Sequence, residues 1–359
     1  MPAIDATPLA KLTTMGVGGA PESLTVATTR EELIDAALEL WSTGDDWLVL
    51  GGGSNIVAAD DLTGLNVIQV ATKGFEVRTE TKGIVLRVQA GENWDALVEQ
   101  VVAEGWAGLE ALSGIPGTVG AAPIQNIGAY GRELVDVLLR LEFLDYETGE
   151  IEILEIDELG FGYRDSIFKS GVAGSTGSSP KTGKLGIITW VELLVQNLGG
   201  LSEPINSTQL AAALGLEMGA QARVGAIREQ VLALRASKGM VYSHEDQNSH
   251  SCGSFFTNPI VSDKFARTLP AQAPRWQTPE DDGLTVKLSA AWLIEQAGIG
   301  KGFALPGSGA AISQKHTLAI TNRGGATAKD VIELASFVQQ RVSNTYGINL
   351  VPEPNLIGF

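Results

Sequence analysis

The chain has 359 residues, of which 44% are hydrophobic and 19% charged, enough apolar mass for a packed core and too much for wholesale disorder. Its 25 basic residues face 42 acidic ones, a net charge of −17, which disfavours a sequence-independent nucleic-acid binder yet leaves room for a small anion held by local cations or N–H groups. A single cysteine, Cys252, excludes an intrachain disulfide framework and a thiolate-rich metal site, and His244, His250 and His316 form no metal-ligand pattern.

The N-terminus has neither a basic nor an apolar leader region, and no run of about 18 apolar residues follows, so a soluble cytoplasmic protein without a membrane span is expected. Thr29-Arg30-Glu31-Glu32 has the capping-box spacing, and Leu33, Ala36, Ala37, Leu40 and Trp41 follow at helical spacing. Trp47–Leu50 reads as a short strand running into Gly51–Asn55, with Ile56–Leu65 a loop and then strand. Strand-like runs recur at 66–70 and 84–90. Gly91-Glu92-Asn93 then opens a helix with Leu97, Val98, Val101 and Val102 inward, closed by Gly105. Residues 114–131 hold five glycines and few charges, an ordered loop of a length that is usually functional.

Further strands are predicted at 137–143, 151–156 and 186–195, with a Gly/Ser/Lys-rich surface loop at 170–186. A helix at 221–237 presents Val224, Ile227, Val231 and Leu234 on one face. The polar segment 238–254 marks the main domain boundary. Beyond it come a helix at 288–297, a strand near 317–321, a helix at 328–343 and an apolar tail with two prolines that docks back. The class is α+β in two or three lobes.

Five segments can carry chemistry. Consecutive glycines after a strand can turn N–H groups toward one phosphate, so Gly51, Gly52, Gly53, Ser54 and Asn55 form either an anion nest or a plain tight turn. A Rossmann fingerprint and a Walker A loop both fail on spacing and on the absence of a following helix. In 113–131 the small residues let a flat ligand approach the main chain, and Gln125 and Asn126 offer amides to a heterocycle edge; a structural loop with satisfied amides is the alternative. In 161–169, Arg164 stands among apolar residues with Tyr163 and Lys169, suited to a carboxylate ligand or to a surface pair with Asp165. Ser254, between Gly253 and two Phe, is either a held proton donor or a turn cap. Glu353 lies between two prolines that fix its backbone, though alone it reads as a solvated carboxylate.

Together the stretches LGGGSN (50–55), LEALSGIPGTVGAAPIQNIGAYG (109–131), FGYRDSIFK (161–169), RASK (235–238), GSFFTNP (253–259), KLSAAWLIEQAGIGKG (287–302) and VPEPNLIG (351–358) resemble the UDP-N-acetylenolpyruvoylglucosamine reductase (MurB) family of flavoenzymes, in family order. The resemblance implies an FAD-binding domain of the vanillyl-alcohol-oxidase/PCMH type plus a smaller α+β substrate domain. It places the FAD-binding region at 1–238, in two α/β lobes of about 1–70 and 71–238. The substrate-binding domain spans 239–345, and the tail 346–359 brings back the catalytic Glu.

It further implies non-covalent FAD, NADPH as co-substrate, and reduction of the enolpyruvyl group of UDP-N-acetylglucosamine-enolpyruvate to UDP-N-acetylmuramate in peptidoglycan precursor synthesis. By resemblance Arg164, Ser254 and Glu353 are catalytic. Tyr163, Lys238 and Asn258 bind substrate. FAD is held by the 51–55 segment, by Ser113, Gly114, Ile115, Pro116 and Gly117, and by Gly120, Gln125, Asn126, Gly128 and Ala129. A monomer with small-molecule partners only is expected, with no nucleic acid and no metal. Two departures stand out: Ser207 lies near the position of a lid tyrosine in longer family members, and Ser313 replaces a histidine. A related flavin oxidase and a non-catalytic nucleotide-binding module are the alternatives. Absence of His and Cys from both N-terminal glycine segments disfavours a tethered flavin, and the retained Arg164, Ser254 and Glu353 disfavour the module.

Overall fold

A computed structural model describes residues 7–169, 183–277 and 283–359, so residues 170–182 of the predicted surface loop lie outside the described residues. The chain forms two compact units, one built from Ala20–Gly53 and Leu62–Val241, the other from Leu9–Gly19, Ser54–Asp61 and Tyr242–Phe359. In chain order the elements are β1 (Pro21–Ala27), α1 (Arg30–Thr43), β2 (Trp47–Leu50), β3 (Ile56–Ala58), β4 (Leu62–Val70), β5 (Phe75–Glu80), β6 (Gly83–Gln89) and α2 (Trp94–Ala103). Then follow β7 (Gly128–Ala129), β8 (Arg132–Glu133), β9 (Leu138–Asp145), β10 (Ile151–Glu155), β11 (Gly186–Val195), α3 (Thr208–Leu214) and α4 (Val224–Ser237). The remainder are β12 (Ile260–Ser262), α5 (Asp263–Ala266), β13 (Arg275–Gln277), β14 (Thr285–Leu288), α6 (Ala290–Gln296), β15 (Ala310–Ile312), β16 (Ile320–Asn322), α7 (Ala328–Tyr346) and β17 (Asn355–Ile357). The content is α+β, as the sequence predicts.

The first unit holds a parallel sheet ordered β1-β4-β2 and an antiparallel sheet ordered β10-β9-β11-β6-β5. Thr29 caps α1 by accepting the Glu32 N–H at 3.1 Å. The Glu32 carboxylate reaches one residue further back than the capping box requires, to the Thr28 N–H at 2.9 Å and its hydroxyl at 2.8 Å. Leu33 and Ala37 bury the inner face of α1 against Ile68, Val70, Leu144 and Ile187.

The main core lies where α2 covers the antiparallel sheet. Leu97, Val98 and Val101 meet Leu86, Val88, Leu141, Val191 and Leu193, each contributing roughly 1.5–3 kcal/mol on burial. Val102, predicted inward, is half-buried because it sits at the edge of that face. Gly105 takes φ 74° just past the end of α2, a conformation that favours glycine. On the same sheet, buried Glu192 accepts from Arg78 at 2.6 Å, Arg87 at 2.8 Å and Arg140 at 2.7 Å.

Strand β1 was not predicted. It begins with a proline, its burial does not alternate, and it occupies a sheet edge where proline is tolerated. Strand β3 likewise replaces an expected loop. Helix α4 begins three residues later than its apolar spacing suggests, and α3 was not anticipated.

In the second unit, α7 lays Val331, Leu334, Val338 and Val342 on a core shared with α6, Phe255, Phe256, Met15 and Val57. A capping box at Thr327 and Asp330 opens α7, and Asp60 accepts the Ala328 N–H at 2.9 Å. The tail docks through β17, which pairs in parallel with β3, Leu356 opposite Val57. Among the described residues no helix is long and apolar enough to cross a membrane.

Candidate active site

Strand β2 delivers the chain into Gly51–Gly53, and these glycines lie against the second glycine-rich segment. A Cβ on Gly51 would stand 2.6 Å from Thr118 Oγ1, and one on Gly52 would stand 2.7 Å from Gly117 Cα. Any side chain at either position would push the two loops apart. Gly53 and Gly117 have φ of 59° and 120°, values other residues rarely adopt. Among the described residues the N–H groups of Gly52 and Gly53 donate to no backbone carbonyl. A doubled, side-chain-free main-chain surface with unspent donors fits a pyrophosphate and a flat ring system.

Within that second segment some predicted residues serve the fold. The buried Ser113 hydroxyl donates to Glu110 O at 2.7 Å, and the Gly120 N–H donates to Ala90 O at 2.8 Å. Asn126 adopts φ 45° and spends its amide internally. It donates to Glu133 Oε2 at 2.8 Å and Gly162 O at 3.3 Å, and accepts the Val135 N–H at 3.1 Å. That amide joins the glycine segment to the turn carrying Arg164.

Arg164 has φ 55°, which costs a non-glycine residue roughly 1–2 kcal/mol. Its fork donates to Asn126 O at 3.2 Å and Gly128 O at 2.7 Å, and a Cβ on Gly128 would lie 3.2 Å from Nη1. Tyr163 places its ring 5.8 Å from the guanidinium, and Lys169 Nζ donates to Arg164 O at 3.1 Å. The guanidinium is thus aimed by two carbonyls of the glycine segment.

Two further cations come from the end of α4. Lys238 Nζ donates to Gln209 Oε1 at 3.2 Å and stands 5.8 Å from the Tyr130 ring centre. Burial, and then the charge of Arg235, hold its pKa below the usual lysine value. Arg235 was not singled out from the sequence, although it lies three residues before Lys238 and therefore on the same helical face. Its Nη2 donates to Met240 O at 2.9 Å, whereas its sheltered Nε has no hydrogen-bond partner among the described residues. Burial pushes its guanidinium down to about 10. Arg164, Arg235 and Lys238 so gather positive charge beside Tyr130 in an otherwise acidic protein, a locale for an anion.

In the second unit Ser254 lies between Gly253, at φ 71°, and the buried Phe255. The Phe255 N–H donates to Leu318 O at 2.7 Å, and Phe255 O accepts the Glu353 N–H at 2.9 Å. Glu353, 99 positions from Ser254 in the chain, is thereby held at the backbone against Phe255, the residue that follows Ser254. Asn55 reinforces the arrangement: its Nδ2 donates to Glu353 O at 3.4 Å and its carbonyl accepts the Asn355 N–H at 3.0 Å. Burial pushes the Cys252 thiol up to about 12, and the Glu353 charge acts in the same direction. Asn258 Oδ1 accepts the Ala290 N–H at 3.0 Å, at the start of α6. Ser207 caps α3 by accepting the Leu210 N–H at 3.3 Å, and Ser313 Oγ donates to Asn248 Oδ1 at 3.2 Å.

A protein of Leifsonia xyli subsp. xyli named UDP-N-acetylenolpyruvoylglucosamine reductase is 53% identical, over 98% of this chain and 98% of its own length. The chain belongs to the UDP-N-acetylenolpyruvoylglucosamine reductase family. A reductase of that name from Mycobacterium tuberculosis strain H37Rv is 43% identical, covering 99% of this chain and 95% of its own. The crystal structure of the Thermus caldophilus reductase (MurB) superimposes with a TM-score of 0.65 at 27% identity, covering 98% of both chains. A family model described as FAD binding domain matches residues 21–155, and one described as UDP-N-acetylenolpyruvoylglucosamine reductase, C-terminal domain, matches 245–357. As a member of this reductase family, the chain is an FAD-dependent oxidoreductase, and the glycine segments 51–53 and 113–120 fall within its FAD binding domain.

Proposed function

We propose that this reductase converts the enolpyruvyl group of UDP-N-acetylglucosamine-enolpyruvate to the lactyl ether of UDP-N-acetylmuramate, with NADPH as the reductant, in peptidoglycan precursor synthesis. The observation that carries the reading is the 2.9 Å hydrogen bond from the Glu353 N–H to Phe255 O, which ties the late Glu353 to the residue next to Ser254 in a chain matched over 98% of its length by a named reductase.

FAD, bound non-covalently, would supply the redox chemistry that relays hydride from NADPH to the terminal carbon of the substrate double bond. Gly51–Asn55 and the loop 113–117, with Gly120, Gln125, Asn126, Gly128 and Ala129, would hold that cofactor through main-chain approach. As the terminal carbon gains hydride, the π electrons move toward the substrate carboxylate. Arg164, with its fork aimed by Asn126 O and Gly128 O, stabilises the charge building there, and Glu353 is the catalytic carboxylate of the second unit. The Ser254 hydroxyl protonates the adjacent carbon, completing the addition of H⁻ and H⁺ across the bond. Lys238 faces the diphosphate, Tyr163 and Asn258 contribute to substrate binding, and the protein works as a cytoplasmic monomer.

The test is a pair of anaerobic half-reactions on the purified holoenzyme. NADPH is expected to bleach the yellow flavin, and the enolpyruvyl substrate to restore its colour. A bleached protein that the substrate leaves colourless refutes the reading.

A further inference from the structure

We propose that Asp95 is the positioning residue of the flavin-binding loop 113–117, clamping the Gly114 N–H to α4 through Arg228. The inference rests on the assignment of that loop to FAD.

Asp95 occupies the first turn of α2, where a carboxylate is favoured by the unpaired N–H groups of the helix start. Its Oδ1 accepts the Gly114 N–H at 2.5 Å. Arg228 grips the same carboxylate with both arms, Nη1 to Oδ1 at 2.6 Å and Nη2 to Oδ2 at 3.0 Å. The Arg228 side chain is only 11% exposed, so this fork is sheltered from competing water. Burial opposes ionisation of Asp95, but Arg228 and the Gly114 N–H together hold its pKa below the ordinary aspartate value.

The rest of α4 completes the clamp. A Cβ on Gly114 would lie 2.8 Å from Leu232 Cδ2 and 3.4 Å from Arg235 Nε, so the loop rests directly on the helix. Gly114 itself holds φ 72°. An ion pair serving only to join α2 to α4 would not need the third bond to Gly114, and that bond reaches a loop whose geometry matters for ligand approach.

The test measures FAD release, as the rate of fluorescence appearing on dilution of full-length holoenzyme, in D95N, R228Q, the double variant and G117A. Release about tenfold faster is expected for D95N and for R228Q, with the double variant no faster than either, because one clamp is broken in all three. The visible flavin band should lose resolved structure in parallel, a change that loosened helix packing alone would not cause. R228K, which keeps charge without the fork, is expected to sit between wild type and R228Q and serves where D95N folds poorly. Unchanged release in D95N and R228Q, or losses that multiply in the double variant, would overturn the role of Asp95. Wild-type release from G117A would instead overturn the assignment of the loop to FAD.

Discussion

The N–H of Glu353 donates to the carbonyl oxygen of Phe255 at 2.9 Å, which fixes the carboxylate-bearing residue one position from Ser254 along the neighbouring chain. S254A and E353Q should therefore fail at the same step. In both, flavin reduction by NADPH is expected to stay within about twofold of wild type, while reoxidation by the enolpyruvyl substrate slows by about 10²- to 10⁴-fold. Stopped-flow absorbance separates the two half-reactions. Wild-type turnover by S254A would remove the hydroxyl from the chemistry.

Arg164 is aimed by two carbonyl oxygens, one on each arm of its planar fork. R164K keeps the charge and loses that geometry. Its kcat/KM for the enolpyruvyl substrate should fall about 100-fold, with NADPH oxidation by the free enzyme little changed. G128A should show a defect of the same kind, since its Cβ would meet Glu133 Cγ at 2.8 Å and Arg132 O at 2.9 Å as well as Nη1 at 3.2 Å, displacing the strand that aims the fork. An R164K enzyme with full activity would show that positive charge alone suffices.

Glu192 is buried among Arg78, Arg87 and Arg140. Burial opposes its ionisation, yet the Arg140 and Arg87 guanidinium groups hold its pKa below the ordinary value. A lowered folded-state pKa gives stability that is complete above the unfolded value of about 4.3 and is lost as pH falls toward the folded one. E192Q should cost about 2–3 kcal/mol at neutral pH, at or just below the usual range for a broken buried pair because the arginines are partly solvated. Denaturant melts from pH 7 to pH 3 should show the gap between wild type and variant narrowing below about pH 4.3. A gap that widens in acid would reverse the sign of the coupling.

Cys252 has its thiol pushed up to about 12 by burial. Native protein at pH 8 should resist thiol alkylation for hours, whereas denatured protein should react within minutes. Rapid labelling of the native chain, counted by intact mass, would contradict the enclosure of the thiol.

Features made by neighbouring residues were legible in the sequence. Thr29 and Asn93 cap α1 and α2 because a short polar side chain needs only to reach an N–H three residues ahead. The inward faces of α2 and α7 follow from spacing, and the glycine segments from the backbone freedom they advertise. Arg164, Ser254 and Glu353 came from motifs whose local chemistry was ambiguous when each was read alone.

Other features have no local signature. Strand β3 is three residues long, and its partner β17 lies about 300 positions away, so neither end carries a pattern that names the other. Asp60 closes the start of α7 across 268 positions, and Arg228 reaches Asp95 across 133. Short-range hydrogen bonding and side-chain periodicity were decided by the amino-acid order itself, since their partners travel together along the chain. Which distant carboxylate meets which guanidinium, and which strand closes which edge, was decided only when burial of the two cores brought those segments into register, because no local energy term distinguishes one remote partner from another.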